Sequence, residues 1–271
     1  MNMCFPGGKQ KSLTFSYDDG VFQDMRLVEI FDKFGLRGTF NLNGGLFSPE
    51  GTTKNAIHTR MPKSICRELY KNHEVALHGL THPFLEQLPS ANCVNEILED
   101  KKILEDMTGK IIRGMAYPYG TYNDEVVNAL NACGVVYSRT TISTENFNLP
   151  TDWLRLPATC HHNNPRLMEL AKNFIGETPP VYPPKLFYVW GHSYEFDMND
   201  NWNVIEEFAD FLAGRNDIWY ATNIEIYDYI DKYKKLIFNA AGNMCYNPTD
   251  TELFFYEGKT VSVAPGETVR F

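Results

Sequence analysis

Short apolar segments alternate with longer amphipathic segments over residues 11–235, and this alternation restricts the fold more than any other feature of the sequence. A strand followed by a helical segment returns most easily as a parallel strand, so repeated alternation predicts a parallel sheet covered by crossover helices. The chain is therefore predicted to be an α/β protein. The predicted strands are residues 13–17, 38–42, 74–77, 112–117, 135–138, 154–156, 186–190 and 218–221.

Helical periodicity is clearest in two of the connecting segments. Residues 25–34 and 93–107 repeat apolar side chains every three or four positions, which is typical of helices with one buried face. Asn123 stands where a further helix should begin, and Gly134 stands just after its expected end. Seven or eight short, evenly spaced units favour a (β/α) barrel, and an open doubly wound sheet is the structural alternative.

The pattern changes after Tyr233, where residues 254–256, 260–263 and 268–271 form short β-like runs separated by Glu-Gly and Pro-Gly turns. We interpret residues 237–271 as a small β appendage and residues 1–236 as the barrel domain. The appendage is too short to build its own core, so it is expected to pack on the barrel.

Composition narrows the cellular context and the partners. A formal net charge of -9 argues against binding nucleic acid, which requires Lys and Arg concentrated on one surface. The sequence has no apolar run of membrane-spanning length and no signal-peptide core at the N-terminus. A cytoplasmic protein is therefore expected if Met1 is the native start. A protein whose leader had been removed would show the same sequence. Six scattered cysteines without a CxxC pair predict reduced thiols. The oligomeric state stays open, with a homodimer as one option.

Five polar clusters directly follow predicted strands, where barrel enzymes build their active sites. Together they contain five of the seven histidines. This coincidence predicts a catalytic site at one end of the barrel. The clusters are SYDDG (16–20), HGLTH (78–82), YPYG (117–120), ATCHH (158–162) and WGHSYE (190–195).

The HGLTH cluster contains two histidines four residues apart. His78 and His82 can face the same way on a helical turn, and two imidazoles plus one carboxylate leave a position open on a zinc ion for water. The spacing alone is a weak indication because such pairs also arise by chance. Gly79 rules out the zincin pattern, which needs Glu directly after the first histidine.

Adjacent carboxylates precede a glycine in the SYDDG cluster. Asp18 and Asp19 on their own are typical of a turn. Two neighbouring carboxylates can also divide the work, one binding a metal and the other accepting a proton. His192 follows a predicted strand and could protonate a leaving group, although a lone histidine there is more often a hydrogen-bonded structural residue.

The ordered motifs LTFSYDDG (13–20), HGLTH (78–82), RGMAYPYG (113–120) and FYVWGH (187–192) resemble those of the polysaccharide deacetylases, the NodB-homology carbohydrate esterases. The resemblance implies a distorted (β/α)7 barrel with one divalent metal ion, zinc first and Co2+, Ni2+ or Mn2+ as alternatives. It also implies an acetylated glycan or amino-sugar substrate that loses acetyl groups, with N-acetyl favoured over O-acetyl and both left open.

Carried over residue by residue, the resemblance implies that Asp19, His78 and His82 bind the metal. Asp18 would be the general base that takes a proton from water on the metal, and His192 would protonate the leaving group. The YPYG motif would lie against the substrate. Its substrate-binding residues would be Pro118 and Tyr119, the latter donating its backbone N–H to the oxyanion.

Two departures from the family pattern concern the surroundings of this site. Gly79 replaces a Ser or Thr whose hydroxyl would brace the histidine loop, and Ala116 stands where many members have an Arg that pairs with the base. Arg139 or Arg113 is therefore expected to supply the missing cation to Asp18. A fourth, Asp-rich motif cannot be aligned with assurance.

The remaining site predictions rest on position alone. We expect His161 to contact substrate, although a second metal held by Cys160, His161 and His162 is chemically reasonable and a structural role is as well supported. Trp190, next to His192, is the aromatic residue expected to meet a sugar ring.

Two other functions compete with deacetylation of a carbohydrate. One is hydrolysis of a small cyclic amide, as in allantoinase-like relatives of the same fold, which often lose metal ligands. The other is an inactive barrel that only binds carbohydrate. The complete set of ligand-type residues counts against both.

Overall fold

A computed structural model describes all residues, 1–271, and shows fifteen strands and eight α-helices. The strands are β1 (Asn2–Cys4), β2 (Lys11–Asp18), β3 (Gly38–Leu42), β4 (Glu74–Leu77), β5 (Gly114–Ala116), β6 (Tyr137–Ser143), β7 (Leu156–Ala158), β8 (Cys160–His161), β9 (Lys185–Gly191), β10 (Ile218–Tyr220), β11 (Ile237–Phe238), β12 (Met244–Tyr246), β13 (Leu253–Tyr256), β14 (Thr260–Val263) and β15 (Thr268–Arg270). The α-helices are α1 (Asp24–Phe34), α2 (Lys63–Leu69), α3 (Ser90–Thr108), α4 (Asp124–Ala132), α5 (Leu167–Ile175), α6 (Tyr194–Met198), α7 (Trp202–Leu212) and α8 (Asn223–Tyr233).

The central sheet is a parallel ring with the order β7-β6-β5-β4-β3-β2-β9-β8. Strands β7 and β8 are two halves of one segment, interrupted at Thr159, whose N–H donates to the Tyr188 carbonyl on β9 at 2.9 Å. This segment pairs with β6 on one side and β9 on the other, and so it closes the ring. The predicted distorted (β/α)7 barrel is confirmed; β10 is an additional strand beside the first half of β2.

The predicted strands agree with the structure except at their ends. The segment predicted as 112–117 is paired only over β5, and the one predicted as 154–156 begins at Leu156. A single 3-10 turn, Trp153–Arg155, precedes it, and the Asp152 carboxylate caps this turn by accepting a hydrogen bond from the Leu154 N–H. A strand cannot start until that turn ends.

Helix boundaries follow the local signals in the sequence. The Asn123 side chain accepts a hydrogen bond from the Val126 N–H and caps α4. Helix α1 ends at Gly35, which adopts a left-handed conformation with φ of 65°. None of the helices combines the length and apolarity needed to cross a lipid bilayer.

The C-terminal strands form two small antiparallel sheets, β1-β13-β14 and β11-β12-β15. The first of these includes β1, so the two ends of the chain pair with each other. The Tyr229 hydroxyl on α8 accepts from the Phe254 N–H and donates to the Cys4 carbonyl, which fastens this sheet to the barrel. The boundary at residue 236 stays a prediction.

Candidate active site

Side chains from three strand ends meet at the carboxyl end of the barrel. Asp18 ends β2 and Asp19 directly follows it, His78 and His82 follow β4, and His192 follows β9. The Nε2 atoms of His78 and His82 lie 3.1 Å apart, and His82 Nε2 lies 4.0 Å from Asp19 Oδ1. On the other side, His192 Nε2 lies 3.7 Å from Asp18 Oδ2. The structure therefore brings all five residues together.

The protonation of His78 is fixed by its backbone partner. Its Nδ1 lies 2.8 Å from the Ala116 carbonyl oxygen, which can only accept a hydrogen bond. Nδ1 therefore carries the proton, and the Nε2 lone pair points toward His82. Burial lowers the pKa of His78, and burial together with His78 lowers the pKa of His82 to about 4, so both rings are neutral at neutral pH. Neutral imidazoles are what a metal requires.

The atoms of Asp19, His78 and His82 that could bind a metal all lie within 4.8 Å of one another. Two imidazole nitrogens and one carboxylate oxygen form the donor set of hydrolytic zinc sites, which keep a further position for water. The Nδ1–H of His78 is held by a carbonyl, as is usual behind a histidine that binds a metal. These residues fit a divalent cation.

Backbone strain is concentrated at this site. Of the five non-glycine residues with positive φ in the chain, three are Asp19 (85°), His82 (57°) and Tyr119 (57°). Such conformations cost free energy and persist where the surrounding structure holds them, commonly at functional sites. The three loops are therefore shaped by the site rather than by local preference.

Asp18 is a buried carboxylate with two firm partners. It is 2% exposed, and Asn41 Nδ2 donates to its Oδ1 at 2.8 Å. The Arg139 guanidinium, 1% exposed, donates to Oδ2. Burial by itself raises the pKa of Asp18, but Arg139, His78 and His192 outweigh it and lower the pKa to about 2. Asp18 is thus ionised at neutral pH.

Arg139 reaches Asp18 from the strand next to the one that carries Ala116. The two residues are register partners in the parallel pair β5 and β6, so their side chains point the same way. The predicted cation is present on β6, beside Ala116 on β5. Arg113, the alternative, does not approach Asp18; it forms an ion pair with Asp228 at 2.6 Å.

The histidine loop is braced without the hydroxyl that Gly79 lacks. Asn43 Nδ2 donates to the carbonyls of His78 and Gly79, each at 2.6 Å. The His78 N–H donates to the buried Asp100 carboxylate at 3.1 Å. Gly79 itself has φ of 77°, where a larger residue would be strained. The loop is held by a neighbouring strand end and by α3.

His192 lies between two carboxylates. Its Nε2 faces Asp18, and its Nδ1 lies 3.5 Å from Glu195 Oε1. Burial by itself lowers the pKa of His192, but Glu195 and the two aspartates outweigh it and raise the pKa. Its imidazolium form is therefore favoured. Glu195 also lies 3.1 Å from His161 Nε2 and 3.0 Å from His162 Nε2.

The second cluster, formed by His161, His162 and Glu195, has the residue types of a metal site. However, His161 Nδ1 accepts a hydrogen bond from the Asn163 N–H at 3.1 Å, so its proton resides on Nε2 and points to Glu195. That nitrogen has no lone pair for a metal, in contrast to His78. Cys160 belongs to the apolar core instead. The second-metal hypothesis is not supported by this arrangement.

The predicted substrate-contacting residues differ in how far they reach the surface. Tyr119 is 53% exposed, and its ring stacks on Phe84 at 4.0 Å and meets His82 edge-on. Pro118 is buried beneath Gly79. Trp190 is 9% exposed and covers the Arg139 guanidinium at 4.3 Å. Arg139 thus lies behind Asp18, away from the surface that a substrate would reach.

Several residues of the site were not predicted from the sequence. Glu195 was inside the WGHSYE cluster, three residues after His192, and that spacing could have indicated a partner for the histidine. Asn41, Asn43 and Arg60 carry no local signal, because only strand pairing and a long loop bring them to the site.

Comparison with known proteins agrees with the motifs. A sequence profile described as polysaccharide deacetylase matches residues 6–138. The peptidoglycan-N-acetylglucosamine deacetylase PgdA of Listeria monocytogenes is 24% identical over 139 residues, which is 51% of this chain and 27% of that protein. The peptidoglycan-N-acetylglucosamine deacetylase of Bacillus cereus is 26% identical over 118 residues, 43% of this chain and 39% of that protein. The chain thus spans well under half the length of these relatives.

Solved structures share the fold at low sequence identity. A Mycobacterium smegmatis protein classed with the polysaccharide deacetylases has a TM-score of 0.60 and 16% identity, over 86% of this chain and 95% of that one. A family 4 acetyl xylan esterase from Clostridium thermocellum, solved with a cobalt ion, has a TM-score of 0.53 and 13% identity, over 80% and 91%. The profile match spans the segments carrying both aspartates and the His78–His82 pair, so residues 6–138, just under half of the chain, are similar to the polysaccharide deacetylase family.

Proposed function

We propose that this protein is a metal-dependent hydrolase that removes N-acetyl groups from an amino-sugar substrate. The observation that carries the proposal is that the adjacent residues Asp18 and Asp19 lie in different surroundings. Asp19 faces two neutral imidazoles in a donor set suited to a metal, while Asp18 is ionised and faces His192. One carboxylate is placed as a ligand and the other as a base.

Asp19, His78 and His82 would hold the cation. When bound, a divalent ion of this kind polarises the acetyl carbonyl and lowers the pKa of water. Asp18 is placed to accept the proton of the attacking water, because it is anionic and Arg139 and Asn41 fix its orientation. General-base catalysis requires this combination of position and ionisation.

His192 is placed to return a proton to the leaving group. Glu195 contacts its Nδ1 side, which leaves Nε2 as the proton donor facing the site. An amine leaving group needs a proton as the C–N bond breaks, so an imidazolium there suits N-deacetylation. The Tyr119 backbone N–H, on a residue with strained φ, is our candidate donor to the oxyanion.

A carbohydrate substrate is supported by the exposed aromatic surface beside the ligands. Phe84 is 39% exposed and Tyr119 53%, and their rings are nearly parallel at 13°. Stacked rings of this kind offer an apolar face to the C–H surface of a sugar. A cavity of about 270 Å³ lies at the other end of the barrel and has no site residue in its lining.

Acetate release tests the proposal. Chelator-treated protein is assayed on N-acetylglucosamine oligomers and on acetylated xylan, with and without added Zn2+. We expect metal-dependent acetate release that is faster on the N-acetylated substrate and lost in Asp18→Asn. Release from xylan alone would shift the assignment to an esterase. No metal-dependent release from either substrate, by protein that binds zinc, would reject deacetylation.

A further inference from the structure

Arg60 contacts the predicted metal ligand Asp19 at two points. Its Nη2 donates to Asp19 Oδ1 at 2.9 Å, and its Nη1 donates to the Asp19 backbone carbonyl. Both side chains are largely covered, at 21% and 15% exposure. A planar guanidinium can bond a carboxylate and a carbonyl together in one rigid fork, which an ammonium group cannot do.

The backbone around Arg60 is fixed against the segment that follows Asp19. The Met61 N–H donates to the Gly20 carbonyl at 2.9 Å, and the Phe22 N–H donates to the Thr59 carbonyl at 3.1 Å. Val21 and Arg60 form an isolated antiparallel bridge between these bonds. The long loop between β3 and α2 therefore delivers the guanidinium to Asp19 in a set position.

Arg60 also connects Asp19 to the histidine loop. Its Nη1 donates to Asn43 Oδ1 at 2.7 Å, and Asn43 Nδ2 donates to the His78 and Gly79 carbonyls. Asn43 is 2% exposed, so these bonds are shielded from water. The Asp19 carboxylate and the backbone of His78 are thus joined through two side chains outside the ligand set.

We propose that Arg60 is a positioning residue for the metal site: it holds Asp19 in its left-handed conformation and, through Asn43, ties it to the loop of His78. Asp19 has φ of 85°, which a non-glycine residue adopts only when its surroundings enforce it. This inference rests on the proposed function, because it assigns Asp19 and His78 as ligands.

Arg60 is proposed to act through the geometry of its hydrogen bonds and not through its charge alone. A substitution that keeps the positive charge tests the geometry separately. Arg60→Lys keeps a cation near Asp19, so the repulsion between that cation and a metal stays, while the fork to the carboxylate, the carbonyl and Asn43 is lost. Partners behind metal ligands typically contribute 10- to 100-fold in affinity. We therefore expect Arg60→Lys to weaken zinc binding by about 10-fold or more.

The experiment measures zinc affinity of metal-free protein by competition with a chromophoric chelator, with no substrate present. Arg113→Lys is the matched control, because Arg113 also forms an ion pair with an aspartate, Asp228, far from the site. We expect its affinity to equal that of the parent. Asn43→Ala is a second variant that leaves Arg60 in place but removes the bonds from Asn43 to Arg60, His78 and Gly79; we expect it to weaken zinc binding as well.

The outcomes separate the two proposals. If the parent and His82→Ala bind zinc equally, the metal site itself is wrong and the proposed function fails with it. If His82→Ala loses zinc but Arg60→Lys and Asn43→Ala bind it within twofold of the parent, the metal site stands and the role of Arg60 is refuted. If Arg60→Lys does not fold by circular dichroism, the affinity of Asn43→Ala decides.

Discussion

Replacing Arg139 by Met should destabilise the protein far more than replacing an exposed arginine. Arg139 and Asp18 are 1% and 2% exposed, so the variant leaves a carboxylate in the barrel without its cation. Breaking a buried pair at one partner costs about 3–5 kcal/mol. The lowering of the Asp18 pKa from 3.8 to about 2 corresponds to about 2.4 kcal/mol in favour of the ionised form, the same order of magnitude.

Urea unfolding at neutral pH measures this cost, with Arg166→Met as control. Arg166 pairs with two glutamates but is 48% exposed, so its loss should cost far less than the loss of Arg139. The double variant Arg139→Met with Asp18→Asn should lose less than the sum of the single variants, because the unpaired charge is gone. Equal losses for Arg139→Met and Arg166→Met, or additive losses in the double variant, would refute the buried pair as the source of stability.

Three further outcomes follow from the structure. Glu195→Gln should lower kcat for acetate release at least about 10-fold, because Glu195 contacts His192. Its zinc affinity should stay at the parental value, because Glu195 contacts no predicted metal ligand. If the variant and the parent have equal kcat values, Glu195 does not support His192 as the proton donor. Phe84→Ala should raise KM for N-acetylglucosamine oligomers several-fold with little change in kcat, because only the ring that stacks on Tyr119 is lost. An unchanged KM would show that the aromatic surface of Phe84 and Tyr119 does not contact the substrate. Burial raises the pKa of Asp24 to about 7, so above about pH 4 the folded protein keeps a proton that the unfolded chain releases, and the parent protein loses stability as the pH rises toward 7. In urea unfolding, the stability of Asp24→Asn relative to the parent should therefore increase by up to about 3 kcal/mol between about pH 5 and 8. A stability difference that does not change with pH would contradict the raised pKa.

The sequence predicted the architecture because the relevant signals are local. Strand length, helical periodicity and capping residues act within a few positions, and they located most strands of the barrel and the helices α1, α3 and α4. They also placed Asp18, His78 and His192 at strand ends, which parallel strands bring to one end of a barrel. Where a predicted strand was wrong, at 154–156, a capped 3-10 turn outweighed the apolar pattern.

The surroundings of those residues depended on the tertiary structure, because they are set by contacts between distant segments. The pairing register of β5 and β6 places Arg139 beside Ala116, from where its guanidinium reaches Asp18. A loop 41 residues beyond Asp19 brings Arg60 to it, and the fold gathers three imidazoles around Glu195. The sequence by itself determined which side chains could bind a metal and accept a proton. Only the packed barrel determined which nitrogen has a lone pair and which carboxylate is ionised, because both depend on the partner that burial places beside them.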